Sequence, residues 1–165
     1  MEIKVEGKNK KYAELLKKIY SSKFSDLTSF LLYKYETYLF SETDSYFSSN
    51  MNKLSNDSLA HLEIIGRIIS KLGGSPDHID FKTYEIFYID DKDKLIEINI
   101  RLTKEKIILY TKFLNGIEDV YIKEILTNFI IEERKNLEIL EIIQLKYKRE
   151  KNHYWFFFLL LLTLF

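Results

Sequence analysis

Few residues in this chain can do chemistry. Among its 165 residues there is no cysteine, which excludes thiol catalysis, thiolate metal sites and disulfides, and there are three histidines. One histidine has an informative setting. His61 lies in Asn-Asp-Ser-Leu-Ala-His-Leu-Glu-Ile-Ile-Gly-Arg-Ile-Ile-Ser-Lys-Leu-Gly-Gly-Ser-Pro, from Asn56 to Pro76. It stands one turn from Asp57 and Ser58 and one turn from Ile65, on or beside an apolar stripe. An imidazole there is either a hydrogen-bonded core residue, the commoner case for a lone histidine, or a metal ligand.

The element that must position His61 is an amphipathic helix. Leu59, Leu62, Ile65, Ile68 (or Ile69) and Leu72 recur every three or four residues. Asn56 or Asp57 is the expected N-cap, and Gly73, Gly74 and Pro76 end the helix. The remainder also reads as helix. Five glycines and one proline suit long helices and argue against a sheet protein full of turns.

Residues 1–9 read as a polar lead-in. Periodicity predicts a first helix from about Lys10 to Phe47, with Leu15, Leu16, Ile19, Phe24, Leu27, Leu31, Tyr35 and Leu39 inward, and a turn near Ser48 to Leu54. Residues 77–90 lack helical period and predict a long extended crossover, a hairpin or strand being the alternative. The acidic Asp90-Asp91-Lys92-Asp93 opens a third helix to about Leu114, with Ile96, Ile100, Ile107 (or Ile108) and Phe113 inward. Asn115-Gly116 predicts a tight turn. A fourth helix from about Glu118 to Lys148 turns Ile122, Ile125, Phe129, Ile130, Leu137, Leu140 and Ile143 (or Gln144) inward. These elements predict one all-α domain, a four-helix bundle over 10–150 with a long connection between helices two and three.

Two stretches resemble the ferritin-like superfamily, in particular small bacterial proteins near the manganese catalases and spore-coat proteins. His61-Leu62-Glu63 and Leu72-Gly73-Gly74-Ser75-Pro76 are similar to that branch's second helix. Ser25-Asp26-Leu27-Thr28-Ser29, followed by Tyr33, is similar to its first. The resemblance implies a dinuclear carboxylate centre, one Glu from each of two helices and Glu-x-x-His from the other two. At the six matching positions stand Asp26, Ser58, His61, Thr103, Glu133 and Asn136. Asp26, His61 and Glu133 are therefore the candidate metal ligands, with Asp57 as a shifted fourth. Ser58, Thr103 and Asn136 replace stronger ligands and would instead form a polar core layer.

The expected function is that of a ferritin-like bundle with a largely degraded dinuclear site, in a non-catalytic binding or structural role and without a cofactor. The alternative is a metal-dependent oxidoreductase, manganese-catalase-like or ferroxidase-like, using Mn or Fe. Lysine plus arginine and aspartate plus glutamate number 25 each, which leaves no electrostatic footprint for nucleic acid. The charged N-terminus is unlike a secretory signal and makes the cytoplasm the expected location. Residues 151–165 form a hydrophobic C-terminal tail. Its apolar run from Trp155 would span about 16 Å as a helix, against about 30 Å of bilayer hydrocarbon. For residues 154–165 the readings are a peripheral contact with a membrane surface, self-association as a homo-oligomer, a tail folded back on the bundle, or a chain-terminal sequence artefact.

Overall fold

The computed structural model describes residues 2–77 and 89–163, with side chains described through Lys151. Among them are five helices and no strand: α1 (Lys10–Tyr20), α2 (Asp26–Leu39), α3 (Ser45–Lys71), α4 (Lys92–Gly116) and α5 (Val120–Thr163). The expected crossover falls largely on residues 78–88, outside the described residues. α2 packs along α3 and α4 along α5. The two pairs meet more thinly, α2 with α4 and α3 with α5, while α1 lies against α3 and touches α4.

The expected first helix is two helices. Ser21 closes α1, its N–H donating to the Lys17 carbonyl, and Ser25 caps α2 by accepting from the Thr28 N–H. The Thr28 hydroxyl donates to the Ser22 carbonyl at 2.7 Å. Hydroxyls that satisfy the backbone locally thus stop the helix although the apolar period runs through. The expected turn near Ser48 to Leu54 lies earlier for a similar reason. Asp44 accepts from the Phe47 N–H and starts α3 at Ser45, which puts Asn56 and Asp57 inside the helix rather than at its cap. Asp91 caps α4 by accepting from Asp93 and Lys94. α4 includes Asn115 and Gly116, so the connection to α5 comes one step later than the expected turn.

Residues 2–9 are more than a lead-in. Ile3 is buried in the core, and the Glu6 N–H donates to Asp119 Oδ2 at 2.7 Å. α5 runs unbroken from Val120 to Thr163, so the tail begins inside a helix. Among the described residues, no helix is long and apolar enough to cross a membrane.

The buried faces of α2 and α4 also differ from the expected stripes. α2 buries Asp26, Thr28, Ser29, Leu32, Tyr33 and Glu36, whereas Leu39 is exposed. α4 buries Asn99, Thr103, Lys106 and Tyr110 beside Leu95, Ile96, Leu102 and Phe113, while Ile108 is exposed. Apolar residues divide into two lobes. One joins α1 to Ile65–Leu72, Tyr110–Ile117 and Ile122–Ile130, and the other joins Leu32–Phe40 to Phe47–Leu54, Leu95–Leu102 and Leu140–Ile143. The polar side chains Ser58, His61, Lys106, Glu133 and Asn136 fall between them in sequence.

A close approach fixes α1 on the end of α3. Gly73 takes a positive φ of 83°, and a Cβ at Gly74 would lie 2.6 Å from the Ala13 Cβ and 3.1 Å from Ile69 Cγ2. Neither neighbour is a long flexible side chain, so Gly74→Ala must push the helices apart. It is expected to cost about 1–3 kcal/mol and to lower the melting temperature by several degrees in a calorimetric scan. An unchanged melting temperature would refute this contact.

Candidate metal centre and its internal cation

The break at 21–25 is what brings Asp26 to the centre. With Ser25 as cap, Asp26 is the first residue of α2, where the positive end of the helix dipole favours a carboxylate. His61 comes from the middle of α3 and Glu133 from α5, and all three are at most 1% exposed. Each offers one donor atom, and the three atoms lie within 4.8 Å of one another. The three residues singled out in sequence therefore converge in space. Asp57 stays outside the group, half-buried on α3, and burial pushes its carboxyl above the usual range.

Between the carboxylates lies a residue that the sequence reading passed over. Lys106 of α4 is fully buried, its Nζ 2.7 Å from Glu133 Oε1 and 3.3 Å from Asp26 Oδ1. The Tyr110 hydroxyl, one turn further along α4, donates to Asp26 Oδ2. His61 faces both carboxylates through Nδ1, 3.5 Å from Asp26 Oδ1 and 3.4 Å from Glu133 Oε1. Its Nε2 bonds Glu132 Oε2 at 2.7 Å, and Glu132 reaches solvent. Phe129 stacks on the imidazole with ring centroids 3.8 Å apart.

The surrounding positions are neutral. Thr103, at the place matched to a ligand Glu, shares a 3.0 Å hydrogen bond with the Tyr33 hydroxyl. Ser58 and Asn136 are buried, and the Ser58 hydroxyl has no partner among the described residues.

Burial acts against every charge here, and the partners decide the outcome. Burial alone would raise the Asp26 carboxyl, but the Lys106 and His61 charges and the Tyr110 hydroxyl hold it below the ordinary value. Burial would lower His61, yet Asp26 and Glu133 raise it to about 10. Lys106 is likewise raised against its burial, by Glu133 and Asp26. Two buried carboxylates thus face two buried cations, with Glu132 bonded to His61 at the solvent end. The charge on His61 contributes stability that is fully present below its ordinary pKa near 6.5 and is lost as pH rises through about 10.

Sequence reading also missed a second buried polar pair. Asn99 Nδ2 donates to Glu36 Oε2 at 2.8 Å, while Glu36 Oε1 and Asn99 Oδ1 are buried without partners among the described residues. Burial pushes the Glu36 carboxyl up to about 8, against the pull of Asn99. The signal for both misses is a spacing on α4. Asn99, Thr103, Lys106 and Tyr110 recur at intervals of four, three and four, an inward helical stripe written in polar residues.

No protein-family profile and no curated protein sequence matches the chain. Solved structures do. A manganese catalase from Anabaena superposes with a TM-score of 0.78 at 15% identity, over 85% of this chain and 74% of that one. A bacterioferritin from Rhodobacter capsulatus, its dinuclear site metal-free, gives 0.76 at 19%, over 87% and 89%. The diiron bacterioferritin of Desulfovibrio desulfuricans gives 0.74 at 22%, over 87% and 84%.

Two titrations test the charges. In nitrogen–proton correlation spectra, both His61 ring nitrogens should stay protonated to pH 8, and a midpoint near 6.5 would contradict the assigned cation. Glu36→Gln should leave stability unchanged at pH 4, where the acid is protonated folded and unfolded. Above pH 8 it should add roughly 3–5 kcal/mol in urea melts. Equal effects at both pH values would rule out a burial-raised carboxyl. With the all-helical architecture, the paired helices and the superpositions in agreement, the fold of this chain is ferritin-like.

Proposed function

We propose that the protein is a non-catalytic ferritin-like binding or scaffold protein in which its own ammonium, that of Lys106, holds the carboxylates that a metal centre would bridge. The observation that carries this reading is the position of Lys106 Nζ against both Glu133 and Asp26. Two divalent ions would bring four positive charges against the two carboxylates of Asp26 and Glu133. Ser58, Thr103 and Asn136 would compensate none of the excess, and Lys106 would increase it in a core that excludes water. The donor set does not fit a dinuclear centre. The segment 151–165, of which residues up to Thr163 continue α5, would be the attachment element, to a surface or to a second copy.

A second reading is favoured by the convergence of Asp26, His61 and Glu133 within 4.8 Å. These three could hold a single ion, Mn or Fe by analogy with the manganese catalase and the diiron bacterioferritin, which would supply redox chemistry. His61 would first have to release the proton on Nδ1, and Lys106 would have to withdraw or lose its own.

Elemental analysis and melting curves separate the two. The wild-type protein should purify without stoichiometric Mn or Fe and keep its melting temperature in chelator or in added Mn(II). Lys106→Met, which leaves His61 as the one cation beside two buried carboxylates, should lose about 3–5 kcal/mol and regain part of it when a divalent ion is supplied. Stoichiometric metal in the wild type that disappears in His61→Ala would replace this reading with the enzyme, and peroxide turnover would then be assayed.

A further inference from the structure

The thinly packed seam between α3 and α5 opens into a cavity of about 530 Å³, a size typical of sites for small organic molecules. Its walls are apolar: Ala60 and Ile64 from α3, and Ile125 and Phe129 from α5. Its charges are unbalanced, with Glu2, Glu124 and Glu132 against Lys4 and the His61 cation. At its inner end is the His61–Glu132 pair, where His61 is almost wholly buried and Glu132 is 55% exposed. Glu132 therefore presents a carboxylate, fixed in place by the imidazole at 2.7 Å, to whatever enters the seam.

We propose that this seam is a binding site for a small organic monocation, an amine carried on an aromatic or branched apolar body. The body would lie on Ile64, Ile125 and Phe129, and the ammonium would pair with Glu132, with Glu124 on the same helix adding negative charge to the cavity. An anionic ligand meets three carboxylates against one lysine and the His61 imidazolium, and is disfavoured by that excess of negative charge. A neutral apolar ligand of the same shape would gain the wall contacts without the ion pair. Charged hydrogen bonds to a carboxylate anchored in this way give the difference between the two. The Glu132 carboxylate has little freedom to lose on pairing, because His61 already holds it. This site lies on the solvent side of His61 and does not depend on what occupies the space beside Lys106.

Titration calorimetry with three indoles of one shape tests the assignment at pH 7 and physiological salt: tryptamine (cation), tryptophol (neutral) and indole-3-propionate (anion). Tryptamine should bind at least about tenfold more tightly than tryptophol, and indole-3-propionate more weakly than either. Glu132→Gln should reduce the preference for the cation to below about threefold. Because that variant also removes a partner of His61, Glu124→Gln serves as the second and should weaken tryptamine alone. Ala60→Trp, at an exposed helical position on the cavity wall, should weaken all three by at least about tenfold. Equal affinity for tryptamine and tryptophol would overturn the proposal. So would tryptamine binding that Ala60→Trp leaves intact, or no binding at millimolar concentration.

Discussion

Everything at the centre of this bundle depends on one ammonium. Placing Lys106 in a core with no exposure carries a desolvation cost of several kcal/mol. The same holds for Asp26 and Glu133. None of the three is tolerable alone, and they are tolerable together because both carboxylates lie within 3.3 Å of the Lys106 nitrogen. In a low-dielectric interior the attraction between opposite charges at such distances is several times its value in water, and it sets the protonation of all the groups at once. His61 becomes a cation there because two carboxylates need one more charge, although its burial argues for the neutral ring.

Other features of the fold follow from that requirement. Asp26 is short, and it reaches the cluster because α2 starts at that residue. The interruption at 21–25 lets Ser25 cap α2 there. Tyr110 packs in one apolar lobe while its hydroxyl turns into the polar layer. Tyr33 does the same from the other lobe, meeting Thr103. The layer is therefore bounded by aromatic residues whose rings belong to the core and whose polar ends belong to the cluster. That arrangement lets two apolar lobes meet across a charged layer.

The fold was legible because helical period, scarce glycine and proline, and the His61 and Leu72–Pro76 stretches all point to one bundle. The convergence of Asp26, His61 and Glu133 was legible through the ferritin-like resemblance, since composition gives no reason to bring those residues together. Lys106 was not. In Thr103-Lys104-Glu105-Lys106 it is one charge in a polar run, and a lysine at helical spacing is ordinarily a solvated residue. Apolar residues define a stripe by themselves, whereas a buried lysine is recognisable only once its counter-charges on α2 and α5 are known. Glu36 escaped for the same reason. Helix breaks were missed where side-chain caps override period: Ser25 and Asp44 act through single hydrogen bonds that leave no trace in hydrophobic patterning.

A charged layer of this kind constrains register more sharply than an apolar one. α2 contributes Asp26, α3 His61, α4 Lys106 and α5 Glu133, one ion from each of the four long helices. Apolar lobes tolerate some sliding, because one leucine can replace another across a greasy interface. Sliding any one of these helices by a turn, about 5.4 Å, would separate an ion from partners now about 3 Å away and leave it buried and unpaired. The cost is asymmetric: a well-packed hydrophobic replacement of the whole cluster could equal its stability, but no shifted register could. The cluster's contribution is thus larger in excluding misaligned bundles than in stabilising the aligned one, whether or not a metal ever enters it.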